Sequence, residues 1–167
     1  VKQHFFGYLI ETKHMINSNS VTLMDFRVEQ KMGLHFMYCL PIDENRMLVE
    51  STVFSSEIQK DAWYQKQILE YIETKLNLSE YKIIDEEKGV LPMYDIENKS
   101  SESYINIGSR GGATKISTGY AFSFFLKNIM LNFENINKVH HSYFAKWMDK
   151  VFVNYLQNNS GTEKVFI

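Results

Sequence analysis

A glutamate in a β-rich run is the first residue whose type and surroundings could do chemistry. Residues 46–54 read RMLVESTVF, and strand alternation puts Leu48, Glu50, Thr52 and Phe54 on one face. If that face lines an apolar cavity, Glu50 is partly desolvated, which favours the protonated acid that a weakly basic substrate needs. A solvent-facing or salt-bridged glutamate is the commoner alternative, and the spacing does not exclude it.

A glycine-rich stretch between a strand and an apolar run is the strongest local signal. Residues 108–120 read GSRGGATKISTGY. Glycines let the backbone approach a ligand closely, and the free N–H groups at a helix start attract negative charge. The stretch lacks both the G-x-G-x-x-G spacing of a dinucleotide site and the G-K-[ST] of a P-loop. Ligand contact and an ordinary tight turn therefore remain equally open.

Two polar side chains in residues 22–29 could also act on a ligand. Asp25 and Arg27 are two positions apart, so they share a strand face and could pair with each other or with a substrate or cofactor. A structural ion pair explains the same spacing. Cys39 has no basic neighbour in sequence that would mark it as a nucleophile, and the histidines lack metal-site spacing, so no metal site is predicted.

Composition narrows the class of protein that positions these residues. The chain has 167 residues, of which 44% are apolar and 23% charged, enough for one domain with a substantial core. The net charge of −2 disfavours a nucleic-acid partner. The sequence contains no run of about 18 apolar residues, so no membrane span is predicted. Phe, Tyr and Trp make up 14% of the chain, which indicates a large core or a cavity for a large apolar ligand.

Hydrophobic periodicity predicts a sheet followed by helices. The β-rich runs are residues 4–12, 22–29, 34–40, 46–54, 81–84 and 104–107, of which the third and fourth form a hairpin through residues 41–45. Residues 86–89 are expected to turn into a further apolar segment, 90–93. Helices are expected over 57–77, 120–133 and 140–157, the first of them with a capping box formed by Ser56 and Gln59.

Five segments in this order resemble the lycopene cyclase family, flavoproteins that close the end rings of carotenoids. They are MDFR at 24–27, YCLP at 38–41, RMLVEST at 46–52 (the strand with the acidic motif), EEKGVLPM at 86–93, and the flavin-contacting loop at 108–120. Each segment alone is a weak signal. Their common order makes the resemblance specific.

The resemblance implies an α+β fold with a mostly antiparallel substrate-binding sheet and flanking helices. This would be the carboxyl-terminal part of a glutathione-reductase-like FAD-binding fold, without its amino-terminal Rossmann unit. The implied regions are a substrate-binding sheet and helix (1–103), a flavin-contacting loop and helix (104–133) and a carboxyl-terminal helical region (134–167). We therefore expect this chain to be part of a larger enzyme and not to bind FAD tightly by itself.

The resemblance also implies an activity and a set of site residues. The reaction is the acid-catalysed, redox-neutral cyclisation of the linear ends of lycopene, with β-rings as the expected product and Glu50 as the acid. Reduced FAD is the implied cofactor, with NADPH or NADH as reductant. The implied flavin contacts are Gly108, Gly111, Gly112, Ser117, Thr118 and Gly119, and the implied substrate contacts are Asp25, Arg27, Tyr38 and Phe54. Peripheral contact with the cytoplasmic face of a membrane is expected, because the substrate dissolves there.

Two positions depart from the family pattern, and two other functions stay open. Ile116 replaces the usual proline before STGY, and Ser51 replaces a second acid, which leaves Glu50 as the lone acid of its motif. A related FAD-dependent isoprenoid reductase or monooxygenase would change the redox state of its product. A non-catalytic module for an apolar ligand would be indifferent to the loss of Glu50.

Overall fold

The computed structural model describes residues 1–94, 103–104, 106–131 and 141–158. The chain divides into two compact units, which comprise mainly residues 2–91 and residues 92–159. The three regions expected from the sequence, with limits at 103 and 133, stay predictions.

The first unit is a five-stranded sheet with one helix. Its elements are β1 (Lys2–Thr12), β2 (Thr22–Asp25), β3 (Leu34–Pro41), β4 (Arg46–Ser55), α1 (Asp61–Thr74) and β5 (Tyr81–Pro92). The strand order is β2-β3-β4-β1-β5, and the pairings β2 with β3, β3 with β4, and β4 with β1 are antiparallel. The expected antiparallel sheet and the β3–β4 hairpin are therefore confirmed.

The two faces of this sheet differ because α1 covers only one of them. The covered face and the helix form the core, whose fully buried members include Ile10, Val49, Val53, Ile68 and Ile72. Burying such side chains contributes about 1.5–3 kcal/mol each. Since side chains alternate along a strand, the even-numbered residues of β4 lie on the opposite face. Glu50 is one of them.

The turn expected at residues 86–89 does not form, because β5 continues through them. Gly89 is required by a close approach and not by a turn: a Cβ there would lie only 2.6 Å from Cζ of Phe5. Glycine inside a strand often marks such a contact. The consequence for the site is that residues 85–89 keep the alternation of a strand, so Glu87 lies on a defined face.

Two other boundaries in this unit differ from the expectation. The expected helix over 57–77 begins only at Asp61 and ends at Thr74, and its N-cap residue, Lys60, makes no side-chain cap hydrogen bond, so the capping box is wrong. Helix α1 stops early because Asn77 adopts a left-handed φ of 53°. Strand β2 ends at Asp25, after a register irregularity against β3.

The second unit is a loop followed by helices. The described elements are a 3₁₀ turn (Gly108–Gly111), α2 (Phe122–Leu131) and α3 (Tyr143–Asn158). Of the strand expected over 104–107, residue 105 lies outside the described residues, Tyr104 makes a single bridge, and Asn106 and Ile107 are not in a strand. Helix α2 begins later than expected, because the Gly119 N–H donates to the Lys115 carbonyl and closes a turn first. Part of the expected helix over 120–133 lies outside the described residues.

Helix α3 confirms the expected final helix, but its apolar side is exposed. Phe144 and Trp147 are 68% and 51% exposed, whereas Asp149 and Val153 are buried. In the part of the chain that the structure describes, no helix combines the length and the apolar character needed to cross a membrane.

Candidate active site

Glu50 lies in the middle of β4, between two neighbouring strands. The register pairs it with Gly7 of β1 on one side and with Tyr38 of β3 on the other. The Thr52 hydroxyl, on the same face, donates a hydrogen bond of 2.5 Å to Glu50 Oε1. The sheet therefore holds this side chain in place from its own strand and from both neighbours.

Gly7 leaves room for a second carboxyl group beside Glu50. A Cβ on Gly7 would lie 3.3 Å from Cγ of Glu87, closer than most real Cβ contacts, and 3.4 Å from Cβ of Glu50. The glycine thus lets Glu87 of β5 reach across β1. The two carboxyl groups are within hydrogen-bond reach of each other.

The surroundings of Glu50 favour its protonated form. Burial, followed by the charge of Glu87 and its hydrogen bond, raises the pKa of Glu50 to about 7, although the Thr52 hydroxyl acts in the opposite direction. A carboxylic acid with such a pKa carries its proton in a large fraction of molecules at neutral pH. The arrangement can therefore donate a proton to a substrate on this face of the sheet.

Aromatic rings continue the same face. The ring of Phe36 packs edge-on against Tyr38, with centroids 5.2 Å apart, and against Phe54, with centroids 5.3 Å apart. Tyr38 is the direct cross-strand neighbour of Glu50, and Phe54 lies four residues along the same strand face. The structure thus brings two of the four expected substrate contacts, Tyr38 and Phe54, onto the face of Glu50. Ring faces can stabilise a passing cation.

Asp25 and Arg27 are not brought to Glu50. Asp25 pairs with Met37, which lies in the core on the α1 face, and its Oδ2 accepts a 2.7 Å hydrogen bond from the Tyr71 hydroxyl of α1. Arg27 binds Asp25 through Nε and Nη2 at 2.9 and 2.7 Å, which holds the pKa of that carboxyl far below its usual range. These contacts are those of a structural ion pair, one of the two interpretations that the sequence left open.

The side chain at position 51 lies on the opposite face of β4 from Glu50, so an acid there is not the one that would form a carboxyl pair with Glu50. The Ser51 hydroxyl is 2.9 Å from Nε2 of His35, and both side chains are buried on the opposite face from Glu50. Burial lowers the pKa of His35 to about 4, so the ring is neutral at pH 7. An acid at position 51 would enter this core, whereas the acid that does meet Glu50 comes from β5.

Sequence reasoning missed Glu87 because it placed a turn at residues 86–89. The signal that could have found it is the spacing of Glu87 and Gly89, two positions apart in a run without proline until Pro92. Alternation alone would then have put Glu87 on one face. It would not have shown that this face is shared with Glu50.

The glycine-rich loop of the second unit is held by its own backbone. Gly108, Gly112 and Gly119 have φ values of 69°, 77° and 73°, which favour glycine. The N–H groups of Gly111, Gly112 and Thr118, which were expected to face the flavin, donate to carbonyls inside the loop. If these residues contact a flavin, they do so by close backbone approach and not as free donors.

A buried anchor ties this loop to α3. The Ser117 hydroxyl donates a 2.7 Å hydrogen bond to Asp149 Oδ1, and Lys115 Nζ lies 3.0 Å from the same oxygen. Ser117 and Asp149 are both buried. Ser117 is therefore engaged with α3 through its hydroxyl, which shapes the loop, and its role as a flavin contact stays a prediction.

The cavity beside the glycine-rich loop limits where a flavin ring could lie. The cavity beside the loop has a volume of about 20 Å³, room for one water and not for a ring. A flavin would have to lie against the outer surface of the loop. There the first N–H groups of α2, beginning at Phe122, have no acceptor within the helix and present partial positive charge. That suits an anionic ring.

The comparison with known families decides the class of this chain. A family model described as "Lycopene cyclase protein" matches residues 1–146. The chain belongs to the lycopene cyclase family. The resemblance carried by the five sequence segments is thereby confirmed.

Two further proteins are similar to this member of the lycopene cyclase family. A chloroplastic neoxanthin synthase of Solanum tuberosum is 27% identical over 135 residues, which cover 68% of this chain and 25% of that protein. A solved geranylgeranyl bacteriochlorophyll reductase-like protein from Thermoplasma acidophilum has a TM-score of 0.58 at 10% identity, over 99% of this chain and 37% of its own. The second likeness shows the fold alone. The chain spans a quarter of the first relative and just over a third of the second.

Proposed function

We propose that this chain supplies the acid of a carotenoid end-ring cyclase, with Glu50 as the proton donor and lycopene as the substrate. The supporting observation is the half-buried Glu50, whose pKa is raised to about 7 on a face that carries aromatic rings. Membership in the lycopene cyclase family supports a carotenoid as the substrate.

The proposed reaction moves protons without changing the redox state. Glu50 transfers its proton to the terminal double bond of the linear chain and becomes a carboxylate, leaving a tertiary cation. An internal double bond attacks that cation and closes the ring, and loss of a ring proton to a base restores a neutral isomer, with β-rings as the expected product. An alkene is a very weak base, so the acid must be protonated and shielded from water. The ring of Tyr38, beside Glu50, would stabilise the cation.

Reduced FAD is the proposed cofactor, with NADPH or NADH as its reductant. Its ring would be held by the glycine-rich loop, namely Gly108, Gly111, Gly112, Ser117, Thr118 and Gly119. When bound, the reduced flavin supplies negative charge that stabilises a cationic substrate. The protein's own part is to keep the loop open to close approach and to present the positive end of α2.

Peripheral contact with the cytoplasmic face of a membrane completes the proposal. Lycopene is a hydrocarbon that dissolves in the bilayer, so an enzyme that acts on it gains from resting on that surface.

The first test is a pigment profile. The full-length protein and its Glu50→Gln variant would be expressed in a lycopene-accumulating bacterium, with Glu73→Gln, an exposed site on α1, as the matched control. We expect cyclised carotenoids from the parent and the control but none from Glu50→Gln, which keeps its shape but has no proton to give. Normal turnover by Glu50→Gln would remove the acid role.

Other outcomes separate the alternative functions. Steady consumption of nicotinamide cofactor with a change in the redox state of the product would select a reductase or monooxygenase. Retention of a carotenoid without turnover, indifferent to Glu50→Gln, would select a binding module. Both would contradict the proposed cyclisation.

A further inference from the structure

We propose that Glu87 is a positioning residue that shares one proton with Glu50 across Gly7 and so keeps Glu50 in its acid form. This rests on the proposed function, because it names the residue that prepares the proposed acid.

The geometry depends on the missing side chain of Gly7. In the register, Gly7 is the direct neighbour of Glu50 on β1, and β5 is the next strand beyond β1. Residues on alternate strands of a sheet are usually separated by the side chain between them. Here the intervening position is a glycine, and Cγ of Glu87 lies 3.3 Å from where its Cβ would be. The Glu87 side chain therefore lies across β1 towards Glu50.

The proton follows from the contact between two carboxyl groups. Two adjacent carboxylates repel each other, so one of them retains a proton and donates it to the other. The Thr52 hydroxyl already donates to Glu50 Oε1. Since each carboxyl oxygen has two lone pairs, this hydrogen bond still leaves Glu50 able to share a proton with Glu87.

The other charged groups near this pair do not neutralise it. From β4, Arg46 shares the face by alternation but is bound to Asp43 in the hairpin turn. From β1 and β5, alternation adds only the acids Glu11 and Asp85 to this face, and from β3 the neighbour of Glu50 is the neutral Tyr38. Lys88 is one residue from Glu87, but it pairs with Asp61 of α1 on the opposite face. Among the described residues of the sheet, a shared proton is what offsets the charge of the pair.

The test is the pH dependence of cyclisation by the full-length protein. Glu87→Gln keeps a hydrogen-bonding group of the same size but removes the charge, so the fall in kcat at rising pH should move to lower pH. Because the pKa of Glu50 is about 7, its protonated fraction at pH 7 should fall severalfold when Glu87 no longer raises that pKa, and kcat should fall with it. KM for lycopene should stay unchanged, and activity should return at lower pH.

Two further variants separate proton sharing from a purely structural role. Glu87→Asp keeps the charge and should restore most of the parental pH profile. Glu86→Gln removes the same charge from the adjacent position, which acts on Tyr8 on the α1 face, and should leave the profile unchanged. An unchanged profile in Glu87→Gln, or an equal shift in Glu86→Gln, would overturn the inference.

A spectroscopic titration makes the two failures distinguishable. In infrared difference spectra of the full-length protein, the stretch of the protonated carboxyl that disappears in Glu50→Gln identifies Glu50. We expect its titration midpoint to fall in Glu87→Gln. A shifted midpoint in a protein whose parent form does not cyclise lycopene would overturn the proposed function, and with it the role of the Glu50–Glu87 pair in that function. An unshifted midpoint in a protein that does cyclise lycopene would overturn the pairing itself.

Discussion

Gly7 shows how the absence of one side chain can determine the chemistry of another residue. It separates two carboxyl groups that the chain places 37 positions apart, at 50 and 87. The close approach, and not an unusual backbone conformation, is what calls for glycine here, since Gly7 has a φ that other residues adopt. A methyl group at this position would lie between the two acids.

We predict that Gly7→Ala uncouples the pair without changing its charges. The new Cβ would meet Leu48 Cδ1 at 3.1 Å as well as the two glutamates, so Glu87 must move away from Glu50. Cyclisation at pH 7 should fall severalfold, and the pH profile should move to lower pH. The matched measurement is the double variant Gly7→Ala/Glu87→Gln, which should behave like Glu87→Gln alone because coupled residues are not additive. Additive losses would show that Gly7 acts only through packing.

At the scale of elements, local sequence patterns do not reveal two features: the position of Glu87 on β5 and the hydrogen bonds that shape the glycine-rich loop. Strand β5 is the edge of the sheet next to β1; most of its residues are exposed and five of its twelve are charged, which suits an edge. It nevertheless contributes Glu87 to the centre of the candidate site. In the second unit, the loop takes its shape from its own hydrogen bonds and from one anchor on α3.

We predict that Ser117→Ala weakens flavin binding by the full-length protein several-fold. The variant removes the hydroxyl that donates to buried Asp149, which leaves that carboxylate with Lys115 and loosens the loop from α3. Loss of a hydrogen bond to a buried charged group costs about 1.5–3 kcal/mol. The measurement is a flavin fluorescence titration, with Ser123→Ala, an exposed position on α2, as the control. Equal affinity of Ser117→Ala and the parent would contradict a flavin role for this loop.

At the scale of the whole molecule, the buried His35 and the half-buried Glu50 titrate with opposite effects on stability. The folded pKa of His35, about 4, lies below its ordinary 6.5, so its contribution is complete above pH 6.5 and is lost as the pH falls towards 4. The folded pKa of Glu50, about 7, lies above its ordinary 4.5, so its contribution is complete below pH 4.5 and is lost as the pH rises through 7. Between pH 4.5 and 6.5 the two effects oppose each other.

We predict that Glu50→Gln changes the slope of stability against pH. Without the titrating acid, the free energy of unfolding at pH 8 should rise relative to pH 5 by on the order of 1–3 kcal/mol compared with the parent. Urea unfolding of the full-length protein at a series of pH values measures this, with Glu73→Gln as the control. A Glu50→Gln curve parallel to that of the parent would mean that Glu50 titrates normally in the folded protein.

The whole molecule also limits what these residues do alone. The chain covers 25% of the neoxanthin synthase and 37% of the reductase-like structure, so the complete activity remains a proposal about the full-length protein. The 167 residues contain no G-x-G-x-x-G segment for a dinucleotide, and the cavity beside the loop is small. We therefore expect tight FAD binding to need more chain than the two units described.

Local patterns in the sequence were enough to locate most elements. The β3–β4 hairpin and β1 were predicted within two residues and α3 within three, because strand alternation and helical spacing are properties of neighbouring residues. Alternation also put Glu50, Thr52 and Phe54 on one face, and the order of five short segments was enough to identify the family. The predicted start of α1 and the turn predicted within β5 were wrong. A sequence that matches a capping box does not always begin a helix, and a glycine inside a strand can mark a close contact instead of a turn.

Only the tertiary structure decided what surrounds those residues. That Glu50 is partly buried, that Glu87 meets it across Gly7, and that Asp25 lies on the opposite face all depend on which strands pair and in which register. Pairing between strands distant in sequence is set by the burial of the whole sheet face against α1. No short window of neighbouring residues contains that information. The sequence by itself therefore determined Glu50 as the candidate acid and its strand face, and the fold decided its neighbour Glu87 and its pKa.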